Sequence, residues 1–210
     1  MKKAKDIDKG SPQDTQKIID KVMSKLEKPF LTAERFKKDM EEAKRFFYKE
    51  LERVTTERRL ELFIDYLHAN GFIVHQLSQD EHKALLTISK EMVHGILTKG
   101  FALMVSELPD PSEIRSLVEK ELQLFFVYTT TKETEAEIKR LREENISVIT
   151  NEEIVRFLIV LLLDRYFDEY FMTITAMPGL KEQVWSFLKT FGINYQMYKE
   201  ISERWQQITR

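Results

Sequence analysis

The residues able to do chemistry are few and scattered along the chain. Four histidines stand at His68, His75, His82 and His94, the first three spaced by seven residues. No His-x-x-x-His pair occurs, the spacing that sets two imidazoles on one helical face for zinc. Each histidine therefore reads more simply as a satisfied or exposed side chain. There is no cysteine, which excludes disulfides and thiolate metal sites. No Gly-x-Gly-x-x-Gly or Gly-Lys-Ser/Thr loop is present to cradle phosphate, and no Gly-x-Ser-x-Gly elbow to present a serine nucleophile. Thr129-Thr130-Thr131 offers three hydroxyls beside a helix start, which either hold a phosphate or simply cap the helix. Phe46, Phe47, Tyr48, Tyr166, Phe167, Tyr170 and Phe171 fall at helical spacing and read as core or interface rather than as base-stacking platforms.

Charge adds a second clue. The net charge is −2, but residues 1–60 carry 17 Lys+Arg against 12 Asp+Glu, leaving 16 against 23 for the rest. A mildly basic front, with Lys37, Lys38, Arg58, Arg59 and, further on, Lys99, either contacts nucleic acid or an acidic partner, or is a solvated helical surface. The sequence pI of about 6.2 falls short of a dedicated DNA-binding domain. The first residues are polar, without the apolar core of a signal peptide. The longest apolar run, Phe157–Leu163, is far below the roughly 20 residues of a membrane span. The expectation is a protein of the cytoplasm, with no membrane contact and no disulfides.

The elements that must position these residues follow from periodicity and punctuation. The 210 residues suffice for one domain with appendages or two small ones. Residues 1–10 read as a disordered tail. Residues 11–55 form an N-terminal helical segment: Ser11-Pro12 opens one helix and Pro29 closes it, and Thr32 opens the next. In that second helix Phe36, Met40, Ala43, Phe47, Leu51 and Val54 make a seam over about six turns, which packs on its own domain or pairs with a second copy. A third helix runs from Thr56 to the Asn70-Gly71 stop. The period then changes: Phe72–Leu77 and Ala84–Ile88 read as a hairpin. Residues 89–100 suit a short helix around Met92, Val93, Ile96 and Leu97. Phe101–Val105, Leu122–Tyr128 and Ile146–Thr150 are strands separated by helices opening at Asp110-Pro111 and at Thr130–Glu133, and Asn151 opens another at Glu152 to about Phe171. This alternation predicts parallel βαβ units. The fold class is α/β and helix-rich, with a small central sheet in residues 56–172, flanked by N-terminal helices and a C-terminal helical tail, residues 173–210.

The segment Leu122–Leu158 carries a resemblance. Its LQLFFVYTTT strand, the helix ending in REEN, and ISVITNEEIVRFL are similar to the distal half of the restriction-endonuclease-like fold, the PD-(D/E)XK or Mrr-like group. Extended backward over helix 56–70, the hairpin 72–88, strand 101–105 and helix 111–121, the match covers about 100 residues. The order helix, hairpin, strand, helix, strand, helix, strand is that of the common core. The resemblance implies phosphodiester cleavage with a divalent metal: an Asp in the hairpin, then Glu or Gln and Lys flanking one residue on the next strand, with carboxylates holding metal and Lys activating water. Asp80 and Glu107 are the nearest metal ligands, with Glu81 beside the first. Pro109 stands two residues after Glu107, where the Lys belongs, and Lys99 precedes the strand instead. The pattern is therefore degenerate.

Three functions compete. The first is a non-catalytic binding or assembly module with a nuclease-like core, associated with nucleic acid or a protein partner and needing no cofactor. The second is a metal-dependent nuclease with a rearranged site at Asp80 and Glu107, using Mg²⁺. The third is a structural homo-oligomer built on Phe36, Met40, Phe47, Leu51 and Val54.

Overall fold

A computed structural model describes residues 12–26, 31–91, 97–119 and 122–209. Three helices open the chain: α1 (Pro12–Met23), α2 (Ala33–Arg53) and α3 (Thr56–Ala69). A run of strands and helices follows: β1 (Ile73–Gln79), β2 (Lys83–Glu91), β3 (Leu97–Val105), α4 (Pro111–Val118), β4 (Leu122–Val127), α5 (Lys132–Glu143) and β5 (Ser147–Thr150). Helices α6 (Asn151–Ala176), α7 (Leu180–Thr190) and α8 (Tyr195–Thr209) complete it. The expected tail 1–10, the Ser11 cap, Pro29, and Met92–Ile96 with His94 lie outside the described residues.

The chain divides into two compact units. The first is Val54–Ile154, and the second combines the described residues of Ser11–Arg53 with those of Val155–Arg210. The division thus falls early in α6. The sequence showed no boundary there because α6 is one uninterrupted helix with no Gly or Pro to mark a change of unit.

The first unit is an α/β layer structure. Its sheet has the order β1-β2-β3-β4-β5, with β2 antiparallel to both neighbours and the β3-β4 and β4-β5 pairs parallel. Strand alternation sorts the side chains. Leu103, Val105, Phe125, Val127 and Val148 face Ile114 of α4 and Ile138 and Leu141 of α5. On the opposite face, Phe126 meets Phe63 of α3 with ring centroids 4.8 Å apart. Both layers come from short-range signals. Thr55 caps α3 by accepting from Arg58 N–H, Asp110 caps α4 through Ser112 N–H with Pro111 in the first turn, and Gly71 at φ 83° ends α3.

Two local expectations shift. The short helix at 89–100 is not formed by its described part: β2 extends to Glu91 and β3 begins at Leu97. Pairing of Ser89 with Lys99 and of Lys90 with Thr98 outweighs the weak helical spacing of so short a stretch. The α5 capping pair is Thr131 with Thr134, one residue on from the expected opening at Thr130–Glu133.

The second unit is helical. Over Phe157–Leu163 helix α6 is apolar around its whole circumference, and that run is buried to 4% exposure or less. Phe36 of α2 meets Tyr166 of α6 at 5.6 Å and Phe187 of α7 at 6.0 Å. Phe157 of α6 meets Trp205 of α8 at 5.7 Å. Asp39 is fully buried and accepts from Arg35 Nε and from the Tyr166 hydroxyl, each at 2.7 Å. Among the described residues, no helix is long and apolar enough to cross a membrane.

Candidate functional site

The β1–β2 turn is built on Asp80. Its Oδ1 accepts the backbone N–H groups of His82 and Lys83, both at 2.8 Å, and its own N–H donates to the Lys83 carbonyl at 2.9 Å. A short carboxylate that closes its own turn in this way is a common reason for Asp at such a position. The two backbone donors favour the ionised form and hold the Asp80 carboxyl below its ordinary value.

Antiparallel pairing of β2 with β3 then fixes what faces Asp80. Lys83 lies opposite Val105, and His82 accepts the Ser106 N–H through its carbonyl at 3.0 Å. The start of β2 and the end of β3 thus share one edge. They border a cleft of about 480 Å³ lined by Asp80, His82, Lys83, Ser106, Glu107 and Glu113, among others. Its apolar wall is Leu85, Leu103, Val105 and Leu117. Asp80 and Glu107, twenty-seven positions apart in the chain, do line the same cleft.

Lys99 does not join them. It pairs with Ser89 and borders a separate hollow of about 420 Å³ with His75, Thr87 and Phe101. Val105 lies six positions further along the strand, roughly 20 Å at about 3.3 Å per residue. The lysine that does line the cleft is Lys83. Neither Lys83 nor Glu113 stood out in the sequence; the register 83↔105 is the signal that places Lys83. A metal is a poor fit for these groups: among the described residues, no three of His, Asp and Glu come together in a way that could hold an ion.

The other expected site residues are dispersed. Lys37 and Lys38 are exposed on α2 in the second unit. In the first unit, Arg58 pairs with Glu61 at 2.8 Å, and Arg59 is half-buried with its guanidinium carbon 4.7 Å from the Tyr128 ring centroid. Burial is the main reason that the Arg59 pKa is lowered. The five basic residues therefore do not make one patch on either unit. The seam residues Phe36, Met40, Phe47 and Leu51 are buried to 2% exposure or less within the chain, and Val54 is half-buried. The seam packs on its own unit, the first of its two alternatives, because α6 and α7 supply the apolar faces that a second copy would have offered. His75 and His82 are exposed and His68 is half-buried.

At the end of β4, Thr131 caps α5 and Thr129 donates its N–H to the Ser106 carbonyl at 3.0 Å. At the end of β5, Thr150 rather than Asn151 serves the start of α6. Thr150 Oγ1 accepts from Glu152 N–H at 3.3 Å, and Glu153 Oε2 accepts from Thr150 N–H at 2.8 Å. Glu153 also meets Arg142 at 2.9 Å. Asn151 turns inward and donates from Nδ2 to the Tyr128 carbonyl at 3.0 Å, leaving its buried Oδ1 with no hydrogen-bond partner. Comparison of the chain with protein-family models, with curated proteins and with solved structures gives no match.

Proposed function

We propose that this chain is a binding module with a nuclease-like core that recognises nucleic acid without cutting it. The observation that carries the reading is the order and pairing of the first unit. Helix α3, the β1–β2 hairpin, β3, α4, β4, α5 and β5 follow one another as the resemblance requires, in one five-stranded sheet. Against cutting stands the strand where a carboxylate and a lysine would be needed. Its side chains toward the cleft are Leu103 and Val105, 6% and 3% exposed and packed with Ile114 and Phe125. Apolar groups at those places can neither hold a hard cation nor activate water.

A second reading, a nuclease with a rearranged site, is favoured by the single cleft that Asp80 and Glu107 share. One pair of assays separates the two. Fluorescence anisotropy with labelled single- and double-stranded DNA and RNA is expected to show binding that weakens with salt. Incubation with Mg²⁺ or Mn²⁺ is expected to leave the strands intact. Absence of binding at low salt would remove the binding reading. Cleavage that disappears in both Asp80→Asn and Glu107→Gln would establish the rearranged site instead.

A further inference from the structure

The cleft itself is a poor place for a phosphate, since Asp80, Glu107 and Glu113 outnumber Lys83 there. Elsewhere on the first unit, one arginine stands out as half-buried and without a carboxylate partner among the described residues. Arg58 pairs with Glu61 and Arg142 with Glu153. Arg59, one position on, meets no carboxylate among the described residues. Its contacts are the face of Tyr128, at 4.7 Å, and a long bond from Nε to the Val54 carbonyl at 3.4 Å. A guanidinium has five N–H donors in a planar fork shaped for phosphate, and it stacks on aromatic faces without giving them up. Holding one half-buried with its charge unpaired is unfavourable, and burial is what lowers its pKa here. Such a group gains most from an anion that arrives with a ligand.

A second group converges on the same tyrosine. Asn151 donates to the Tyr128 carbonyl, and its Oδ1 is buried with no hydrogen-bond partner. That oxygen is out of a ligand's reach and offers a phosphate no bond, so Asn151 serves the site by holding the Tyr128 backbone through Nδ2. Tyr128 itself follows β4 directly, at the carboxyl ends of the parallel strands β3, β4 and β5, the edge where open α/β sheets take their ligands. The neighbouring hollow at the start of α3 is acidic, lined by Glu57, Asp80 and Glu81, and neither Arg59 nor Tyr128 lines it.

We infer that Arg59, stacked on Tyr128 at the carboxyl ends of the parallel strands, is an anchor for a phosphate group of a nucleic-acid strand. The identity of the ligand rests on the nucleic-acid reading above; the anion site does not.

The test uses the full chain with two probes, inorganic phosphate and a labelled single-stranded oligonucleotide. Wild type and Tyr128→Phe, which keeps the ring face, are expected to bind phosphate alike by calorimetry. Arg59→Gln is expected to lose at least about tenfold in phosphate affinity. The slope of log affinity against log salt for the oligonucleotide should fall by about one in that variant. Thermal melting checks that Arg59→Gln folds. If it does not, Arg59→Lys, which keeps the charge and loses the fork, takes its place with a smaller loss expected. Equal phosphate binding and an unchanged salt slope in a folded Arg59 variant overturn the anchor, even if the oligonucleotide still binds. Phosphate binding through Arg59 without oligonucleotide binding supports the anchor and removes the nucleic-acid reading.

Discussion

Replacing Tyr166 with phenylalanine isolates one hydrogen bond to a fully buried carboxylate. Asp39 receives Arg35 Nε on Oδ1 and the Tyr166 hydroxyl on Oδ2, both at 2.7 Å. Phenylalanine keeps the ring, with its edge contact to Phe36 at 5.6 Å and its tilted contact to Tyr170 at 4.8 Å. The packing is therefore preserved, and the change removes only a donor to a charged acceptor, a loss of about 1.5–3 kcal/mol. For a chain of this length, melting falls about 2–4 °C per kcal/mol, so a drop of roughly 3–12 °C is expected. Arg35 remains on Oδ1, which keeps the loss below that of Asp39→Ala. That variant removes the carboxylate paired with a largely buried guanidinium as well as the acceptor of the Tyr166 hydroxyl, and is expected to lose about 3–5 kcal/mol. Urea unfolding followed by tryptophan fluorescence is the assay. Both tryptophans, Trp185 and Trp205, belong to the second unit, as Asp39 and Tyr166 do, so the signal reports the unit that was altered. Circular dichroism recorded alongside shows whether the first unit unfolds with it. A Tyr166→Phe variant within about 0.5 kcal/mol of wild type, or an Asp39→Ala variant no less stable than Tyr166→Phe, would refute the reasoning.

Two further outcomes follow from the same unit. Burial raises the Asp164 pKa, only partly offset by hydrogen bonds from the Tyr198 hydroxyl at 2.7 Å and Ser202 Oγ at 2.8 Å. The ionised form is thus disfavoured in the fold relative to the unfolded chain, so stability is lost as pH rises from the ordinary carboxylate pKa through the raised one. Asp164→Asn keeps an Oδ1 acceptor and removes the charge; it is expected to melt above wild type at neutral pH, with the gap closing in acid. A gap that stays constant or widens in acid contradicts the assignment. Phe47 is fully buried in the chain, so Phe47→Asp places an unpaired carboxylate in a core and is expected to unfold the second unit. Light scattering with tryptophan fluorescence would instead reveal a folded monomer from an oligomeric wild type if the α2 seam were an open interface.

How far the sequence reaches can be seen element by element. Caps, stops and periods are local, and they were legible: Asp110-Pro111 opens α4, and Asn70-Gly71 ends α3. The α/β class followed from the alternation of these pieces, because a strand–helix–strand run with short joints packs as parallel units. The chain's lack of cysteine settled the absence of disulfides outright.

Only the tertiary structure decided what meets what. Asp80 and Glu107 share a cleft, and Lys99 lies away from it, because register sets distances that spacing in the chain does not encode. The α2 seam was equally compatible with a partner copy and with its own unit; α6 and α7, more than a hundred residues away in the chain, closed over it. Arg58 and Arg59 are adjacent letters, yet one finds Glu61 a turn away while the other is turned onto Tyr128 by the packing of α3 on the sheet. Local chemistry specifies elements; long-range packing, which sums over residues far apart in sequence, decides which side chains become a site.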